Sequence, residues 1–291
     1  MIRKNGWRYG LLFAAPALIV FLLIFVLPTG ILIATSFTEW DGKHTPEWVG
    51  LANYAEMFRD AGFLQSLRNT LSMGLLAAFV HVPLGTILAL FLYRRPVGWK
   101  VLRSVSMIPD IISSSVKAVI FVFVFNPGIG LLNGFVRLFD PQFAINWFYN
   151  KHTAFWAVTA TWIFHFGYVL LITLSELQSL PVSYRESAQL DGASSVQIDL
   201  YIHLPLIRHT VGSCMILMVT GMFKFFEQIY LTTAGGPGYT TSTLALLIYQ
   251  NMTTGFRYGY GNAIGMVLML LGVFVILLIQ KTMRMDRSFA Q

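Results

Sequence analysis

The chain has 291 residues, of which 56% are hydrophobic and 11% charged, against roughly 45–50% and about 25% in an ordinary soluble domain. A mean hydropathy of +0.65 and 24 Phe exclude a single water-soluble globule, because one compact interior cannot absorb so much apolar side chain and a bilayer can. The formal net charge of +7 is not a nucleic-acid signal, since Lys and Arg form no aromatic-interleaved patch, and the lone Cys214 excludes an internal disulfide, a cysteine metal framework and paired-thiol redox chemistry.

Charge-poor runs of about 20 residues are what a helix needs to cross a hydrocarbon core of roughly 30 Å. They predict six membrane-spanning helices, at about 10–35, 67–93, 101–125, 153–177, 206–230 and 258–281. The expected fold is all-α and integral to the membrane, one transmembrane domain over 1–291. The first run follows Arg3, Lys4 and Arg8 as a secretory signal would. It continues past Phe25 and through Pro28, too long for a signal core of about 7–15 residues, and reads as an uncleaved helix.

In the second span Gly74 with Ala78 and Gly85 with Ala89, and in the last Gly261, Gly265 and Gly272, form small-residue stripes that serve packing within the chain or a subunit interface. In the third span Asp110 and Lys117 stand seven apart and so share an expected helix face, lining a path or pairing with neighbours. Lys224 and Glu227, three apart in the fifth, are placed to satisfy each other. Lys and Arg gather on the side of the termini, at Arg3, Lys4 and Arg8, at Arg94, Arg95, Lys100 and Arg103, at Arg185 and Arg208, and at Lys281, Arg284 and Arg287. The opposite side has only Lys43, Arg59, Arg68, Arg137, Lys151 and Arg257. That excess puts both termini in the cytoplasm.

The fourth connection, 179–209, is too long and too patterned for a plain turn. Ser183 with Glu186 and Ser194 with Gln197 are spaced as two capping boxes, Gly192 suits the left-handed residue ending the first of two short helices, and Pro205 is expected to stop the second. Val196, Leu200, Ile202 and Leu204 recur along it as an apolar face that needs a partner. There is no GxxxxGK[ST] phosphate loop, so work from ATP would reach this chain only through another subunit.

Glu186-Ser-Ala188-Gln-Leu-Asp191-Gly192-Ala193, continuing to Ile202-His-Leu204-Pro205, resembles the EAA signature of bacterial ABC import permeases, with Ser187 in place of its first alanine. Further blocks in the right order are similar to the carbohydrate-uptake branch of that family, of the type of the larger maltose permease subunit. These are Val49-Gly-Leu-Ala-Asn53-Tyr54, Asn69-Thr70, Phe125-Asn-Pro-Gly128-Ile-Gly130-Leu-Leu-Asn133, and Leu231-Thr-Thr-Ala-Gly235-Gly236-Pro237 with Thr243 downstream. The resemblance implies a type I ABC importer permease with six spans and a cytoplasmic EAA helix-turn-helix, in a bacterial cytoplasmic (inner) membrane. By it, Glu186, Ala188, Asp191, Gly192, Ala193, Leu204 and Pro205 couple to an ATPase dimer, and Gly235, Gly236 and Pro237 meet an extracytoplasmic solute-binding protein. A second homologous permease subunit completes the implied assembly.

A sugar needs hydrogen-bonding groups and flat aromatic faces near mid-membrane. Trp162, His165 and Tyr168 in the fourth span and Phe223, Phe226 and Glu227 in the fifth offer them, although aromatics at such spacing also serve packing or the interfacial belt. His81 and His165 have no acidic or histidine partner at metal-ligand spacing. No HExxH, no GxSxG and no paired aspartates within spans supply a nucleophile or base, so no chemistry and no cofactor are expected. Two other readings stay open: an ion-coupled secondary carrier, which would need midplane carboxylates and often shows repeats, and an ABC permease for a non-sugar solute such as a glycerol-phosphate compound.

Overall fold

The computed structural model describes residues 6–285; Arg3, Lys4 and Arg287 of the orientation argument lie outside the described residues. The chain divides into two compact units, Met1–Asp60 with Ile248–Met269, and Ala61–Leu247 with Leu270–Gln291.

In the first unit, α1 (Gly6–Phe21) passes through a π-helical turn, Leu22–Val26, into α2 (Leu27–Thr35). Beyond it β1 (Thr38–Glu39) and β2 (Glu47–Trp48) pair antiparallel, with Thr38 opposite Trp48, and α3 (Ala52–Met57) follows. Asp41, between the strands, accepts the His44 and Lys43 amides and the His44 ring, which together hold its carboxyl well below the usual carboxylate range. The start of α17 (Tyr258–Thr282) is fastened to this unit. Tyr258 N donates to Trp40 O at 2.8 Å, and the Asn262 amide donates to Thr35 Oγ1 at 2.7 Å. Just before the helix, Arg257 pairs with Glu56 at 2.6 Å, an ion pair that raises its pKa further.

In the second unit, α4 (Ala61–Leu76), a π turn at Ala77–His81 and α5 (Val82–Tyr93) make one span, starting six residues before the expected 67. Then come α6 (Trp99–Ile111), α7 (Ser114–Val124), α8 (Leu131–Arg137), α9 (Ala154–Ala160) and α10 (Gly167–Ser179). The fourth connection holds α11 (Val182–Leu190), α12 (Ser195–Ile198), a π turn at Asp199–His203 and α13 (Leu204–Leu206). After it run α14 (Arg208–Phe223), α15 (Glu227–Thr232) and α16 (Leu244–Thr253). Val82, Ala89 and Leu92 of α5, Leu170, Leu174 and Leu177 of α10, and Val211 and Cys214 of α14 form one buried core. A Cβ on Gly85 would lie 2.8 Å from Val169, so this small-residue stripe serves packing within the chain.

Among the described residues, three helices are long and apolar enough to cross a membrane: Leu12–Thr35, Ala61–Tyr93 and Tyr258–Thr282. The other three expected spans are interrupted. The run 101–125 bends by 97° between α6 and α7, 153–177 is open from Thr161 to Phe166, and 206–230 is open from Lys224 to Phe226. A hydropathy window reads composition and is blind to where the backbone ladder opens.

Each π turn ends two residues before a proline, at Pro28, Pro83 and Pro205. Proline lacks an N–H and presses its ring on the carbonyl four residues back; a wider i to i+5 turn opens the ladder there. Leu27, Val82 and Leu204 accordingly bond back to Leu22, Ala77 and Asp199. Pro205 therefore does not stop its helix as expected: the chain stays helical to Leu206 and then bends 70° into α14.

Candidate functional site

The connection 179–209 folds largely as its local signals dictate. Ala193 N donates to Ala188 O at 2.9 Å and Gly192 N to Gln189 O at 3.1 Å. With Gly192 at φ +81°, this is a Schellman end to α11 that a Cβ would strain. Ser194 and Gln197 form a reciprocal capping box. Ser183 and Glu186 do not: α11 begins at Val182 after Pro181, which puts Ser183 inside the first turn, and no side chain caps it.

One tie that local signals did not predict holds the connection to the end of the second span. Asp199 accepts the Arg94 guanidinium and, at 2.8 Å, the His203 ring, while Tyr93 packs edge-on against His203. Asp199 and His203 are 8% and 4% exposed, so the charge is paired where water is scarce. The expected apolar face divides. Val196 and Leu200 point outward with Leu190 and Tyr201, whereas Leu204 packs on the core, because the π turn at Asp199–His203 shifts the four-residue register that would have kept it on their side. Of the motif residues, Ala188 is buried, Ala193 partly so, and Glu186, Asp191, Gly192 and Pro205 are exposed. Asp191, Gly192 and Ala193 line a shallow hollow with Ile198 and Tyr201.

A second constellation sits where the three interrupted spans open. Asp110 Oδ2 accepts Gly167 N at 2.8 Å, setting a carboxylate on the first amide of α10. A Cβ on Gly167 would collide with that carboxylate and with Ser106 O. Lys117 donates to His165 Nδ1 at 3.3 Å, Gln228 to Thr161 O at 3.4 Å and Ser115 to Glu227. Trp162 packs with His81 at 6.0 Å and with Phe225 at 6.3 Å between ring centroids. Asp110 and Lys117 thus share no helix face, because the bend lies between them, yet both reach the opening in the fourth span. Glu227 takes the Ser115 hydroxyl and not Lys224, because α14 ends between the two. Phe226 stacks on Tyr230, and Tyr168 is exposed at the start of α10. Phe223 is elsewhere, in an apolar cleft with Gly74, Ala78 and Ile279.

His81 belongs to this constellation as well. Its Nδ1 donates to Ile163 O at 3.2 Å, and its Nε2, like Trp162 Nε1, is buried with no partner among the described residues. An ionisable residue inside a span was the available signal.

The remaining family blocks are clamps built on buried asparagines. The Asn69 amide donates to the carbonyls of Tyr239, Thr240 and Ser242 at 3.0, 3.0 and 2.8 Å, so Asn69-Thr70 fastens the loop that carries Gly235, Gly236 and Pro237. Thr70 itself accepts Leu244 N. Gly235 is buried there, with Gly236 and Pro237 partly exposed. Asn133 bridges Ile145 O and Asn126 O and accepts Trp147 Nε1. Asn53 spans Ser36 O and Thr38 O.

Comparison with known proteins follows this geometry. Residues 81–283 match the family described as binding-protein-dependent transport system inner membrane component. The sulfoquinovosyl glycerol transport system permease protein SmoG of Agrobacterium fabrum is 32% identical, over 91% of this chain and 86% of that protein. The arabinooligosaccharides transport system permease protein AraP of Bacillus subtilis is 30% identical, over 99% and 94%. In fold, the chain is similar to a chain of a bacterial alginate ABC transporter solved in complex with its alginate pentasaccharide-bound periplasmic protein. The TM-score is 0.82 at 21% identity, with 99% of this chain and 97% of that one covered. The chain accordingly belongs to the binding-protein-dependent transport system inner membrane components, as an ABC importer permease.

Proposed function

We propose that this permease carries a sugar or short oligosaccharide inward, with a second homologous permease, an ATPase dimer on a separate polypeptide and an extracytoplasmic solute-binding protein. Both termini face the cytoplasm, and the six spans are the continuous and interrupted runs taken together. Relatives named for sulfoquinovosyl glycerol and arabinooligosaccharides support the substrate class. The relative solved with an oligosaccharide-loaded periplasmic protein supports the delivery partner.

The observation that carries the reading is the connection 179–209, with its glycine turn, its capped second helix and its tie through Asp199 to Arg94. A loop closed on itself in this way moves as a body, as alternating access requires. Glu186, Asp191 and Gly192 present it to the ATPase, Ala188 and Leu204 seat it from within, and Ala193 and Pro205 flank its turn and its end. The solute passes the opening where Trp162, His165, Tyr168, Phe226 and Glu227 gather with His81. Phe223 does not take part. Gly236 and Pro237 meet the binding protein, and Gly235 shapes their loop from beneath.

The test is Gly192→Val, which forces a β-branched residue to φ +81°. ATPase copurification and solute uptake should both fall at least tenfold while the permease still inserts. Undiminished copurification and uptake would overturn the coupling role.

A further inference from the structure

At the root of the coupling connection lies a cavity of about 470 Å³ lined by Tyr93, Arg94, Arg95, Gln178 and Arg185, with Leu180 and Val182 on its apolar side. Every polar side chain lining it can donate a hydrogen bond, three of them are guanidiniums, and none is a carboxylate. Asp199 lines the adjoining hollow and is already taken by Arg94 and His203. Arg95 lies 6.0 Å over the Trp99 ring. The Nε of Arg185 is buried without a hydrogen-bond partner among the described residues. α11 starts beside Val182 with no side-chain cap, and its first amides add positive potential.

Arg94 has Asp199 as its counter-charge, but Arg95 and Arg185 bring two further guanidiniums to the same hollow, and a phosphate accepts such forked donors in pairs. Arg94 and Arg95 come from the end of the second span, and Arg185 comes from the first helix of the coupling connection. A bound phosphate would therefore clip the two together. Leu180 and Val182 form an apolar shoulder of the kind found where headgroup meets acyl chain. The inference rests on the cytoplasmic placement of the connection proposed above, where anionic headgroups collect basic pockets. We propose that this cavity binds a phosphate group, supplied by an anionic phospholipid or free in solution, and that its occupancy stiffens the root of the coupling connection.

The test uses the assembled importer, with partner permease, ATPase and binding protein, in nanodiscs. Three conditions are compared: phosphatidylcholine alone, phosphatidylcholine with a minor fraction of phosphatidylglycerol, and phosphatidylcholine with inorganic phosphate in the buffer. Retained phosphatidylglycerol is counted by native mass spectrometry, and solute-stimulated ATPase is measured beside it. Wild type should retain the lipid, and Arg95→Gln with Arg185→Gln should weaken that retention about thirtyfold, from roughly one surface-cation contribution per arginine. Arg103→Gln, on the same side but outside the cavity, should leave it unchanged.

Stimulation by phosphatidylglycerol alone assigns the site to lipid; equal stimulation by inorganic phosphate assigns it to the free anion; both support the site. Equal retention by wild type and the double variant, with no stimulation in either condition, overturns it. Solute-stimulated ATPase in phosphatidylcholine alone reports separately on the permease reading, so loss of that activity and loss of this site are told apart.

Discussion

The second and fourth spans pack against each other through α5 and α10, yet one is a single rod and the other is two pieces. The rod contains Pro83, Gly74 and Gly85. The interrupted span, 153–177, contains no proline at all. Proline therefore does not locate the break here, and glycine does so only where, as at Gly167, another group needs the space. In hydrocarbon a freed backbone group costs several kcal/mol unless something takes it, so a helix can open only where partners wait. The fourth span has them: Asp110 takes the Gly167 amide, Gln228 reaches the Thr161 carbonyl and His81 the Ile163 carbonyl. Among the described residues no side chain from another helix bonds the backbone at Pro83, and a π turn accommodates the ring while the rod stays intact.

Four substitutions can break or sharpen this contrast, each read as the midpoint of thermal denaturation of the purified protein in detergent and as solute uptake in vesicles. The largest effect is expected from Gly167→Val, which drives a side chain into the Asp110 carboxylate and the Ser106 carbonyl. It should cost about 3 kcal/mol and abolish uptake, and a stable, active variant would mean that the close approach is not required. Asn69→Ala removes one amide from three carbonyls on the rod's outer end and should cost about 2 kcal/mol. Its uptake should fall more with binding protein present than its stability alone explains. Asp110→Asn keeps the shape at the opening and removes the charge from the α10 terminus, a loss of about 1 kcal/mol. Smallest of all, Pro83→Ala should change stability by less than about 1 kcal/mol, because the π turn already carries the ring. A large loss there would show that proline, and not the absence of partners, governs the rod.

What could be read from the sequence follows the range over which each signal acts. The turn at Gly192 and the box at Ser194 and Gln197 are written within a few residues, and both formed. The box at Ser183 and Glu186 has the right letters, but with Pro181 at the N-cap the helix starts two residues too early for it. The tie from Asp199 to Arg94 joins residues 105 positions apart, and nothing near either one announces the other. The openings in the fourth and fifth spans were invisible for the same reason, since distant side chains reach them, Asp110, His81 and Gln228 the one and Thr243 the other, whereas at the bend of the third Ser113 caps α7 locally. The pairing expected of Lys224 and Glu227 failed because three-residue spacing carries meaning only inside an unbroken helix. The asparagine blocks lay between these extremes. They were recognised as marks of a family, while their work of gathering carbonyls from distant loops could be seen only in the folded chain.

The second span has a mechanical consequence. One end, at Arg94, is bolted to the connection 179–209, and the other, at Asn69, grips the loop that carries Gly235 to Pro237, some 25 residues or about 37 Å away along a helical axis. With no break in the helix between those grips, it behaves as a pushrod: a displacement of the connection at one end reaches the loop at the other, so under the coupling role proposed above both ends of the permease would answer to one stroke.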